Sequence, residues 1–154
     1  MSLQHDIQTL TKMRFLGEDD DIDIFDQILY DISLKGENSN IAELCTVFED
    51  SVVTPAALDN LVEAIFSIAN RCGLDEGMYQ IVKGISKMLP HGKSWALKIN
   101  RMILNYEPFN IPYINGVKRL DSEEMSVIVD LLFEIKNKDS NRFSSKVDDI
   151  VNSI

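Results

Sequence analysis

Little in this chain can serve as a covalent or metal staple. It holds two cysteines and two histidines in 154 residues. His5 and His91 lie far apart, and no Cys/His cluster has the spacing of a zinc site. Cys45 and Cys72 each fall inside an apolar-periodic segment, which predicts two small buried thiols in a reducing compartment. Four prolines and seven glycines exclude a low-complexity or proline-rich chain. No apolar run approaches the ~18 residues that would span a bilayer. The opening residues, MSLQHDIQTLTKMRF, lack the basic start and continuous apolar stretch of a signal peptide, so a cytoplasmic protein is expected. The length suits one domain over residues 1–154, long enough to bury a core without staples.

Positive charge is also scarce, and in one place above all. The net charge is −10, and residues 1–54 hold twelve Asp and Glu against three Lys and Arg. Residues 55–154 are nearly balanced, with thirteen acids against twelve bases. An acidic N-terminal third repels phosphate, which disfavours nucleic acid as a direct ligand and an anionic membrane as a surface. It favours a basic protein met through electrostatic steering.

What is present is helical periodicity. Leu3, Ile7 and Leu10 begin a first helix that breaks near Gly17. A second helix is expected over about residues 18–34, and a third after the cap Glu37-Asn38-Ser39-Asn40, with Ile41, Leu44, Val47 and Phe48 inward. Thr54-Pro55 reads as N-cap and first helical residue of a helix stopped by Gly73. Its inward face holds Leu58, Leu61, Val62, Ile65, Ile68 and Ala69; Asp59, Glu63, Ser67 and Asn70 take the other. Asp75-Glu76 begins the next, with Pro90 beyond its end, and Ser94 is expected to cap the helix after that. A brief helix holds Tyr113, Ile114, Val117 and Leu120. Asp121 and Glu124 form a capping box before a helix apolar on most sides, which predicts a central position for it. Ser140 starts the last. With no competing strand signal and no strict repeat, the expected fold is all-α: an irregular, HEAT-like stack of antiparallel helical hairpins.

The stretch GEDDDIDIFDQ, residues 17–27, crowds six acids beside residues that want burial. An EF-hand loop starting at Asp19 would need Gly at its sixth position and Glu at its twelfth. Ile24 and Tyr30 stand there, so calcium is excluded. The helix macrodipole accounts for one or two N-terminal acids at ~0.3–1 kcal/mol each, not for six. A helical wheel resolves the conflict. Ile22, Phe25, Ile28, Leu29 and Ile32 share one side. Asp19, Asp20, Asp23, Asp26, Gln27, Tyr30 and Asp31 share the other.

No nucleophile elbow, phosphate-binding glycine loop or metal-ligand pair occurs. Glu49-Asp50 is a lone acid pair without a basic orienter, and His91 sits in a Pro-His-Gly turn. No catalytic residue, cofactor or metal is expected.

Two segments carry a family resemblance. Residues 85–105, ISKMLPHGKSWALKINRMILN, end one helix in Met-Leu-Pro and open another bearing Trp95, Arg101 and Leu104-Asn105. Upstream, VFEDSVVTPAALDNLVEAI sets Phe48-Glu49-Asp50 ahead of an amphipathic helix. Together they resemble the immunity protein 30 family of bacterial polymorphic-toxin and contact-dependent growth inhibition systems, over roughly residues 40–135. The resemblance implies a small helical cytoplasmic protein that binds and blocks the toxin encoded beside it. Such toxins are often nucleases with basic clefts, carried as the C-terminal domain of a large secreted effector. The residues expected to meet the toxin are Asp19, Asp20, Asp23, Asp26, Tyr30 and Asp31, with Glu49 and Asp50 as a second patch. Trp95, Arg101 and Asn105 are expected to hold the fold, Trp95 in the core and the other two on buried carbonyls or neighbouring acids. The alternative is a helical-repeat adaptor for some other basic protein or peptide.

Overall fold

Helix α5, Leu74–Lys87, is where the chain comes together. It packs against α3 (Asn38–Leu44), α4 (Pro55–Cys72), α7 (Asn110–Lys118) and α8 (Ser122–Lys138). Small residues permit the closest approaches. A Cβ on Gly77 would lie 2.5 Å from the Ala69 Cβ of α4, and one on Gly84 2.6 Å from Cys45 Sγ. On another face, a Cβ on Gly116 of α7 would stand 3.1 Å from the Tyr79 Cα. Three neighbouring backbones thus sit nearer to α5 than side chains would allow. The computed structural model describes residues 3–17 and 20–154. Among them are nine α-helices and no strand.

The remaining helices build outward from this hub. α1 (Leu3–Met13) rests on α2 (Ile22–Lys35), and α2 on α4. α6 (Lys93–Asn105) lies against α8, and α9 (Ser140–Ser153) packs on α8 and touches α6. One continuous core runs from Ile7 and Leu10 to Val147 and Ile150. The expected inward faces of α2 and α4 are the buried ones, with Ile22 and Ile28 of α2 half-buried. Gly73 ends α4 at φ 114°, a conformation side chains resist.

Four local expectations are corrected. α2 begins at Ile22, four residues late, because Asp21 is its N-cap. α8 is not central: its apolar breadth serves α5, α6, α7 and α9, yet Phe133 remains 40% exposed. α6 begins at Lys93, so Ser94 lies within its first turn and does not cap it. Cys72, expected to be buried, is exposed at the end of α4, whereas Cys45 is buried. The capping box holds, with Glu124 N–H donating to Asp121 Oδ1 at 2.8 Å and Asp121 N–H to Glu124 Oε1 at 3.3 Å.

Candidate functional site

The acids at the start of α2 divide into those that shape the chain and those that face outward. Asp20 accepts the Gly17 N–H at 3.1 Å, ahead of the helix. Asp21 accepts the N–H groups of Asp23 (2.9 Å) and Ile24 (3.3 Å), satisfying orphan donors of the first turn. Asp19 lies outside the described residues. Asp23, Asp26, Tyr30 and Asp31 then occupy the side of α2 turned from the core, as the wheel predicts.

That face is mixed, not purely acidic. Tyr30 is 60% exposed, Leu34 55% and Ile24 51%. Between α2 and α4 runs a groove of about 210 Å³, lined by Asp26, Tyr30 and Ser33 on one bank and Asn60, Glu63 and Ser67 on the other. Asn60 Nδ2 donates to Asp26 Oδ1 at 3.2 Å across it, and Gln27 Nε2 donates to Asp31 Oδ1 at 3.2 Å. Neither partner carries charge. Among the described residues, every Lys or Arg ion pair lies from Asp59 onward, and none touches an acid of α2. Arg71, the one cation of α4, donates instead to the carbonyls of Ser33 and Gly36 at the C-terminal end of α2. The contribution of α4 to the groove went unrecognised from sequence. Its signal was there in the polar stripe through Glu63 and Ser67, but nothing local placed that stripe beside Asp26.

The second expected patch serves the fold. Glu49 is only 7% exposed, and its carboxylate accepts the Ser51 N–H at 3.1 Å. Its backbone carbonyl accepts the Trp95 indole N–H at 3.2 Å. Asp50 is exposed, but both its oxygens accept the Ser94 N–H, at 3.1 and 3.2 Å, and so cap α6 from 44 residues away. The Asp50 N–H donates to the His91 carbonyl at 2.8 Å, and the Phe48 and Trp95 rings stack with centroids 5.4 Å apart. The two segments that carry the family resemblance thus form one clip, with Trp95 in the core as expected. Arg101 and Asn105 depart from expectation. Neither bonds a buried carbonyl or pairs with an acid among the described residues; Asn105 is exposed. The buried polar pair is instead Asn100 with Tyr113, whose hydroxyl donates to Asn100 Oδ1 at 2.5 Å.

Two buried groups, the Cys45 thiol and the Tyr113 hydroxyl, are kept neutral. Burial pushes the Cys45 thiol up to about 12 and raises the Tyr113 hydroxyl above its ordinary range. Among the described residues, no group of three or more His, Cys, Asp or Glu is placed to hold a metal ion. None of their helices is long and apolar enough to cross a membrane.

Fold and surface together define a small all-helical protein with a charged, partly apolar face along two adjacent helices. The model of the family described as immunity protein 30 matches residues 12–113, well over half of the chain, and the chain belongs to that family. Membership implies an immunity protein acting against a toxin. The match begins ahead of α2, earlier than the expected 40–135, and so includes the acidic face; α8 and α9 lie beyond it. No curated protein and no solved structure matches the chain.

Proposed function

We propose that this chain binds the toxin of its own system through the outward face of α2 and the groove against α4, and silences it by covering a basic surface. The observation that carries the reading is charge left without compensation. Among the described residues, Asp23, Asp26 and Asp31 have neutral side-chain partners or none, beside exposed Tyr30, Leu34 and Ile24. Uncompensated acids repel one another and lower the stability of the free chain. A partner that brings cations relieves that repulsion, while the tyrosine and aliphatic side chains supply apolar area and rigid anchors. The toxin that fits is a nuclease, the C-terminal domain of a large secreted effector, because a cleft built for phosphate is already lined with donors and positive charge. Asp23, Asp26, Tyr30 and Asp31 are its contacts, with Glu63 from α4. The protein acts in the bacterial cytoplasm, by steric and electrostatic occlusion, with no chemistry of its own.

The test pairs the tagged chain with the toxin domain encoded beside its gene. The chain should rescue toxin-expressing cells, and in vitro it should stop degradation of nucleic acid at one equivalent. Asp23→Asn/Asp26→Asn/Asp31→Asn should weaken binding by at least about tenfold with little change in melting temperature. Unchanged affinity would sink the assignment of the face. Failure to rescue would sink the toxin reading.

A further inference from the structure

We propose that a second pocket, between α4 and α6, receives a carboxylate side chain of the toxin, held by Arg101. This rests on the toxin reading above but uses residues outside the acidic face. The pocket encloses about 320 Å³ and is lined by Asp50, Pro55, Asp59, Trp95, Lys98 and Arg101. Its charges are unevenly engaged. Both Asp50 oxygens accept the Ser94 N–H. Asp59 accepts from the Lys98 ammonium, which also lies 5.0 Å from the Trp95 ring centroid. Arg101 has no hydrogen bond or ion pair among the described residues, although two carboxylates line the same pocket.

A half-buried guanidinium has five donors in a fixed planar fork, and its natural complement is a carboxylate taken bidentately. The flanking Trp95 and Pro55 thin out the water around it, which strengthens such a pair. Location supports the same partner. Pro55 and Asp59 of α4 line this pocket, and Asn60 and Glu63 of α4 line the acidic groove. A surface that covers α4 meets both. The toxin therefore presents cations toward α2 and one Asp or Glu toward α6, which gives a register that bulk charge attraction lacks.

The sign of the mutational effect separates this from general electrostatics. Against a basic toxin, removing any positive charge from this chain should leave binding unchanged or tighten it. Lys118→Gln, at an exposed lysine of α7, should do that. Arg101→Gln should instead weaken binding at least about tenfold, and Arg101→Lys should recover part of the loss. Both Arg101 variants should melt like the parent, because the Arg101 side chain has no hydrogen bond or ion pair among the described residues. Trp95 is the single tryptophan, so 5-fluorotryptophan placed in this chain gives one ¹⁹F resonance at the pocket wall. It should shift when the toxin domain binds. If Arg101→Gln binds as tightly as the parent or tighter, and the resonance stays put, the pocket assignment is overturned. The acidic-face reading would survive that result if the triple Asn variant still weakens binding. If the chain does not bind the toxin at all, both readings fall together.

Discussion

Asn100 shows what one polar residue can demand of an apolar helix. It is fully buried in α6; its amide donates to the Ala96 carbonyl at 2.7 Å, and its oxygen accepts from Tyr113. Each group supplies what the other lacks, so neither is left unsatisfied. Tyr113→Phe would strand the Asn100 oxygen, at a cost of about 1–3 kcal/mol. Urea unfolding followed by circular dichroism should show a lower midpoint with an unchanged slope; a variant as stable as the parent would mean the bond contributes nothing. The aspartates at the start of α2 carry the same lesson about partners. Six acids look alike in sequence, but Asp20 and Asp21 bond backbone N–H groups while Asp23 faces out. Asp suits both an N-cap and a first helical turn, so composition alone did not place the helix start.

At the scale of elements, α2 and α4 were legible because their apolar residues recur with the helical period. The position of α5 at the hub was less so. Its apolar face is no richer than that of α4, and what distinguishes it is Gly77 and Gly84, seven residues apart, which let two other helices close in. Such spacing is a signal only once the neighbours are known. The competing magnitudes can be tested at Gly84. Alanine in a helix interior is better than glycine by about 1 kcal/mol. Here its Cβ would stand 2.6 Å from Cys45 Sγ and 3.1 Å from the Ala42 Cα, a clash of the kind that costs about 1–3 kcal/mol. Gly84→Ala should therefore lower the melting temperature. A rise would mean that α3 and α5 can part without loss.

Across the whole molecule, the excess negative charge sits in residues 1–54, while the ion pairs among the described residues lie elsewhere. Lys93 donates to Glu134 across α6 and α8 and holds its carboxyl below the usual range, as Arg119 does for Glu76 between α7 and α5. These pairs are exposed and contribute little to stability. The imbalance should be felt in association. The rate of binding to the toxin should fall about tenfold or more as salt is raised from low ionic strength, because screening removes steering, while dissociation changes less. Stopped-flow measurements across a salt series would check this, and a flat association rate would argue against charge as the guide.

Sequence by itself determined the helices, their inward faces and the one-sided charge. These depend on spacing within a few turns of chain and on simple summation. Tertiary structure alone decided which charged groups are already in use. Asp50 is a cap because Ser94 is folded against it, Glu49 is buried because Trp95 closes over its segment, and Cys72 is exposed because α4 ends at the surface. Asp26 faces a groove, and Arg101 a pocket, because α4 supplies a wall to each. A side chain's chemistry is written at its own position, but its availability depends on partners dozens of residues away, and only packing brings those together.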